Sequence, residues 1–339
     1  MSAKAFITDL SGLAPTADEI AFLRDTRPWG LILFARNVSE PNQVADLASA
    51  YREAVGRPDA PILIDQEGGR VQRLKPPRWR DYPPARRIGE LYEHDREPGL
   101  RLAWLVSRAM AHDLRSCGVD VDCLPVLDLP VPGAHEIIGD RSYASDIDTV
   151  VALGRAACDG LMAGGVLPVM KHIPGHGRAD VDTHLSTPTT HATWGELEAR
   201  DFAAFRPFSD LPMAMTVHMI ISAVDPDRPA TQSAPVIEDV IRGSIGFDGL
   251  LMTDDLSMKA LGGAVGPRAL ACLDAGCDVV LHCNDPLADR IAVGEAVPVL
   301  EGRAAERAEA ALAVRRQPEP FDHAAAHAEL DDLLAAVVA

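Results

Sequence analysis

One α/β domain closed into a (β/α)8 barrel of the TIM type is the architecture this sequence predicts, on three observations. Eight short β-rich apolar runs alternate with longer helical patterns along almost all of the 339 residues. Most of the runs are apolar on both faces, as strands of a parallel sheet covered by helices are, whereas a half-exposed sheet alternates. The punctuation helix, glycine, strand recurs at Cys117-Gly118-Val119, Ala163-Gly164-Gly165-Val166 and Ala275-Gly276-Cys277-Asp278, where glycine supplies a left-handed cap. A doubly wound open sheet is the alternative, because periodicity alone does not show closure.

The strands are expected over 5–9, 30–34, 61–65, 121–127, 166–172, 213–218, 250–254 and 278–282. Thr16 followed by Glu19 reads as a capping box that opens a helix through Arg24. Leu102, Leu105, Val106, Ala109 and Leu114 keep helical spacing and stop at Gly118. Eight βα units occupy about 250 residues in such a barrel. The surplus goes to long βα loops and to 303–339, where two added helices are expected over 304–314 and 323–338, split by Gln317-Pro318-Glu319-Pro320. With no Ser/Gly-rich linker, 1–339 reads as one domain with C-terminal helices packed on the barrel.

Composition narrows the partners. At 47% apolar and 24% charged, the chain buries a core and is not disordered. Thirty-two basic against fifty acidic side chains give a net charge of −18, which opposes binding to nucleic acid or an anionic membrane. Residues 1–10 lack the charged-then-apolar layout of a signal peptide, and no run approaches the roughly 18 apolar residues that span a bilayer. The six cysteines (Cys117, Cys123, Cys158, Cys272, Cys277 and Cys283) form no close CxxC pair, so reduced, buried thiols in the cytoplasm are expected.

A barrel concentrates its chemistry at the carboxyl ends of the strands. Asp65, Asp128, Lys171 with His172, His218, Asp254, and His282 with Asn284 end or follow strands three to eight. After strand three, Asp65-Gln66-Glu67-Gly68-Gly69-Arg70-Val71-Gln72-Arg73 contains a paired-glycine turn that lets the acid and the arginines point into one space. After strand five, the segment from Lys171 to His184 contains Pro174, Gly175 and Gly177, which disfavour a helix and mark a long functional loop. On it Asp182 and His184 lie two apart, and a carboxylate beside an imidazole makes a proton shuttle. A zinc site on His172, His176 and His184 is the rival reading, opposed by the missing HExxH and the lack of a cysteine ligand set. Of the pair Asp254-Asp255, the first is assigned to the barrel mouth and the second to the N-cap of the next helix.

Together these segments resemble family 3 glycoside hydrolases, and within them the single-domain bacterial β-N-acetylglucosaminidases of peptidoglycan recycling. The resemblance rests on Gly30-Leu31-Ile32-Leu33-Phe34 with Arg36-Asn37, Ile64 to Arg73, Pro125-Val126-Leu127-Asp128, Ile138-Gly139-Asp140-Arg141-Ser142, the Lys171 to His184 loop, and Phe247-Asp248-Gly249 through Met258. The chain departs from the family pattern at Ile173, Tyr143 and Arg178. A cation at Arg178 is expected to favour an anionic leaving group.

The resemblance implies a retaining hydrolysis of terminal β-linked N-acetylglucosamine, with GlcNAc-1,6-anhydro-MurNAc, with or without peptide, as the natural substrate. It implies Asp254 as nucleophile, His184 as general acid/base and Asp182 as the residue that orients His184. It further implies Asp65, Arg73, Arg141, Lys171 and His172 as the sugar-binding set, a small carbohydrate or muropeptide as partner, and neither cofactor nor metal. The alternatives are a phosphorolytic enzyme of the same fold, a metal-dependent amidohydrolase-like barrel, and a catalytically silent sugar-binding barrel.

Overall fold

The computed structural model describes residues 3–181 and 186–336. Eight parallel strands close into one barrel: β1 (Lys4–Thr8), β2 (Pro28–Leu33), β3 (Ile62–Ile64), β4 (Val121–Asp122), β5 (Leu167–Ile173), β6 (Met213–Thr216), β7 (Leu250–Asp255) and β8 (Val279–Leu281). Each strand pairs with its sequence neighbour, and β8 returns to β1 through Phe6 opposite Val280. Closure settles the alternative left by periodicity: the sheet is not open.

Every expected strand is present, and each differs from its expected extent at one end or both. β4 keeps only two paired residues, because Pro125 brings no N–H to the ladder. Pairing resumes irregularly where Leu127 N donates to the Lys171 carbonyl at 2.8 Å. β7 runs one residue further than expected, through Asp255. The Thr16 capping box forms as read, with Glu19 N donating to Thr16 Oγ1 at 3.2 Å and Thr16 N to Glu19 Oε2 at 3.0 Å, and its helix spans Ala17–Thr26.

The apolar runs divide their side chains between two cores. Leu31, Leu33, Ile62, Ile64, Met170 and Leu251 face outward into the layer shared with the helices, whereas Ile32, Leu63, Val169, Met213, Leu250 and Met252 fill the barrel interior. A strand's period of two sends alternate residues to opposite faces, so both faces must be apolar here. All six cysteines are free and buried.

The two C-terminal helices are Gly302–Ala313 and His323–Ala336. Ala308 and Ala311 of the first join the interior core at the amino-terminal end of the barrel, where they close it. The second lies against the helix Arg96–Ser116, burying Ala326 and Leu330 in the outer core. Arg101 and Glu329 clasp across that contact in a bidentate pair at 2.6 and 2.8 Å.

Candidate active site

The alternation that fills the barrel continues above its core and changes character there. Two residues beyond Ile32, Leu63, Val169, Met252 and Leu281 come Phe34, Asp65, Lys171, Asp254 and Cys283, and all five line one cavity of about 170 Å³ at the carboxyl ends of the strands. His172 and Asp255 would face away under strict alternation. Register slips in the β5–β6 and β8–β7 pairings bring them to the cavity beside Lys171 and Asp254. A roomier groove of about 820 Å³ lies at the opposite end, between the helices Ile147–Ala163 and Gly302–Ala313. Its charged lining includes solvent-facing ion pairs such as Arg303 with Asp248, so volume does not select the site; the convergence of buried titratable groups does.

Those groups form an alternating chain of charge. Arg73 Nη2 reaches Asp65 Oδ2 at 3.2 Å, and Lys171 Nζ bridges Asp65 Oδ1 at 2.8 Å and Glu67 Oε1 at 2.6 Å. Arg141 then grips Glu67 through two parallel bonds of 2.8 Å and approaches His172 Nε2 at 3.5 Å. The far ring nitrogen of His172 meets Asp128 Oδ2 at 2.6 Å, which orients the imidazole. Burial alone would push the Asp65 and Glu67 carboxyls up. For Asp65, Lys171 and Arg73 outweigh it and hold the group well below its ordinary range. For Glu67, Arg141 and Lys171 do so, bringing it to about 2. The Lys171 ammonium, opposed by burial but flanked by both acids, is held above its usual value.

Asp254 faces this chain. Burial opposes its charge, yet His172 and the backbone N–H of Asp255, which donates to Oδ1 at 2.8 Å, keep the carboxyl below its normal value and ionised at neutral pH. Beside it, His176 is buried, and burial with the neighbouring His172 pulls its pKa down to about 3, so the ring is neutral. Among the described residues neither of its nitrogens has a hydrogen-bond partner.

Asp65, Arg73, Arg141, Lys171, His172 and Asp254 therefore converge on one cavity, as the sequence anticipates. Asp182 and His184 lie outside the described residues. Two expectations, for Arg70 and Asp255, are corrected. Arg70 does not share the cavity: it donates to Asp140 Oδ1 at 2.9 Å and to the carbonyls of Glu136, Ile137 and Ile138, and so braces the turn that carries Arg141. Arg178 pairs with the buried Asp201 at 2.8 Å and does not line this cavity. Asp255 is not a helix N-cap, because the next helix starts only at Val265; its carboxylate instead accepts from Ser257 N at 3.0 Å and Cys283 N at 3.1 Å.

The sequence assigned no role to Glu67, placed Asp128 only among the groups that follow strands, and offered His176 only as a ligand of the rival zinc site. Glu67 was within reach, since it continues the 63, 65, 67 alternation. Asp128, His172 and His176 are also the one set of described residues with spacing that a metal ion would accept. Asp128 is already committed, however, to His172 Nδ1 and to the His176 N–H at 2.7 Å, and no cysteine belongs to the set. A carboxylate saturated by hydrogen bonds fits ring orientation better than ligation.

Two glycines set the approach of the loops. Gly68 has φ of +90°, and a Cβ there would sit 2.3 Å from the Pro83 carbonyl. At Gly177 a Cβ would fall 1.9 Å from the Leu129 carbonyl oxygen, so Gly177→Ala should destabilise the protein by about 1–3 kcal/mol through backbone displacement. Denaturant unfolding measures this, and an unchanged midpoint would show that the loop after β5 is not held by that contact.

Over residues 7–316 the chain matches the glycosyl hydrolase family 3 N-terminal domain. It is 37% identical over 282 residues to a beta-hexosaminidase of Nitrosomonas eutropha, covering 82% of this chain and 80% of that protein. A beta-hexosaminidase of Alkalilimnicola ehrlichii is 39% identical over 296 residues, 86% of this chain and 81% of that protein. Among solved structures, NagZ from Neisseria gonorrhoeae in complex with N-trifluoroacetyl-D-glucosamine superposes with a TM-score of 0.85 at 30% identity, covering 99% of this chain and 97% of that one. A family 3 β-N-acetylglucosaminidase from Paenibacillus sp. gives 0.85 at 28% identity over 98% of this chain and 66% of that one.

Proposed function

The chain belongs to glycosyl hydrolase family 3, and from that premise we propose that this glycoside hydrolase is a retaining exo-β-N-acetylglucosaminidase acting through a covalent glycosyl-enzyme. The observation that carries the reading is an ionised carboxylate, Asp254, facing a cavity whose other polar groups suit a sugar ring. Asp65 accepts hydrogen bonds from hydroxyl groups; Lys171, Arg73, Arg141 and His172 donate them.

In the proposed first step an Asp254 oxygen attacks the anomeric carbon while His184, oriented by Asp182, gives its proton to the departing glycosidic oxygen. In the second, His184 takes a proton from water, the resulting hydroxide attacks the same carbon, and Asp254 leaves as carboxylate. Support for this use of the loop comes from its described flanks. Thr187 Oγ1 donates to the Ala260 carbonyl, beyond β7, at 2.5 Å, and Thr189–Thr190 pairs with Ile220–Ile221, beyond β6. Residues 187–190 are thus tied down beside the strands that carry Asp254 and its supports.

The natural substrate we propose is GlcNAc-1,6-anhydro-MurNAc, with or without its peptide, processed in the cytoplasm by a single catalytic domain. No helix among the described residues is long and apolar enough to cross a membrane, and six free thiols suit a reducing compartment. Trapping with a 2-fluoro N-acetylglucosamine analogue followed by peptide mapping tests the mechanism. Label is expected on Asp254; label on Asp255, or on no carboxylate, overturns it. Released sugar should be free N-acetylglucosamine with or without phosphate, and activity should survive exhaustive chelation; a sugar 1-phosphate or loss of activity would support the rival readings instead.

A further inference from the structure

His218 follows β6 by two residues, is fully buried and stands behind the cavity lining. Its Nε2 lies 3.1 Å from the backbone carbonyl of Asp255 and its Nδ1 lies 2.8 Å from Thr231 Oγ1. A carbonyl only accepts, so Nε2 carries the proton and donates it. Burial pushes the ring's pKa down and keeps it neutral, so Nδ1 accepts from the Thr231 hydroxyl in competition with the Val217 carbonyl at 2.9 Å. Thr216 Oγ1, 2.8 Å from Thr231 Oγ1, supplies the proton that Thr231 needs as acceptor. The Asp255 carbonyl therefore selects the tautomer, and the threonines brace the ring from behind.

On the other side, Asp255 is gripped throughout. Its carboxylate accepts from Ser257, Cys283 and Asn284, with the Asn284 Nδ2 bond at 2.9 Å, while its own N–H donates to Asp254 Oδ1 at 2.8 Å. We propose that His218 is a positioning residue for the nucleophile: by pinning the Asp255 carbonyl it fixes the backbone of the residue whose own N–H, one peptide unit earlier, holds one Asp254 oxygen, leaving the other oxygen to attack. The inference rests on Asp254 being the nucleophile. The charged and titratable groups around His218 are Asp254 and Asp255 on β7 and Arg268 of the helix Val265–Asp274. Arg268 donates to the Leu256 carbonyl just beyond β7, and His172 of β5 and His176 of the loop after it line the same cavity as Asp254.

The test compares His218→Leu with His218→Gln on a chromogenic β-N-acetylglucosaminide across pH. His218→Leu should lower kcat by roughly 10- to 100-fold, the scale of a misplaced reacting group, with KM within about twofold. The acidic limb of kcat/KM should move to higher pH as Asp254 loses an oriented donor. His218→Gln, whose amide N–H can reach the same carbonyl, should recover most of the loss. Wild-type kcat and acidic limb in His218→Leu, a loss confined to KM, or a Gln variant no better than Leu would each overturn the proposal. Should the Leu variant not fold, Thr231→Val against Thr231→Ser decides: Val should slow turnover with the same pH shift and Ser should not, and two alike variants overturn it. Mapping the 2-fluoro label in wild-type enzyme keeps the premise separate, since label away from Asp254 defeats the nucleophile reading however the variants behave.

Discussion

Replacing Asp254 by Asn should lower kcat/KM by about 10⁴-fold, equivalent to roughly 5.5 kcal/mol of barrier. The amide keeps the shape of the side chain and can keep the Asp255 N–H bond, but its oxygen carries no full charge and its nitrogen lone pair is delocalised, so no anomeric ester forms. Because the carboxylate is held ionised against burial by His172 and one N–H, neutralising it leaves little uncompensated charge. The thermal midpoint should therefore stay within a few degrees of wild type. Turnover of Asp254→Gly restored by azide, giving the α-glycosyl azide, would locate the missing attack on the face that Asp254 occupies. An Asn variant with more than a tenth of wild-type activity would remove Asp254 from the mechanism.

Lys171→Met should cost stability as well as activity. The ammonium is 2.8 Å from Asp65 and 2.6 Å from Glu67 and almost wholly buried, and deleting one member of a buried ion network costs about 3–5 kcal/mol because its partners are left charged. The pH dependence distinguishes this from loss of packing. In wild type the Glu67 carboxyl sits at about 2, with Asp65 also depressed. Their contribution is complete above the ordinary carboxyl range near about 4 and is lost as pH falls through the folded values. In the variant burial dominates, both carboxyls rise, and protonating them stabilises the folded state. The gap between the two proteins in urea unfolding should consequently shrink from pH 7 to pH 4. A constant gap would mean that the methylene stem, and not the charge, matters.

Several features of the site could be read in the chain before any coordinates. Leu63 to Asp65, Val169 to Lys171 and Met252 to Asp254 each step two residues along a strand from an apolar interior to a polar mouth, and that periodicity is a local property of extended backbone. The paired glycines at Gly68 and Gly69 likewise announce a turn that side chains would obstruct. Arg70 and Arg73 look equivalent in the same motif, yet one braces a neighbouring loop and the other enters the cavity. Nothing within nine residues distinguishes them, because the deciding partner, Asp140, is seventy positions away.

What the sequence determined by itself is the order of eight apolar strands, the capping of the first helix and the strand ends where polar groups would gather, all fixed by contacts a few residues apart. Only the tertiary structure decided that the sheet closes, that Glu67 is clamped by Arg141 from 74 positions away, that Asp128 steers His172, and that Asp255 supports its neighbour instead of capping a helix. These pairings join loops from different strands, and which loops meet depends on the curvature and register of the closed barrel, a quantity no local window of sequence contains.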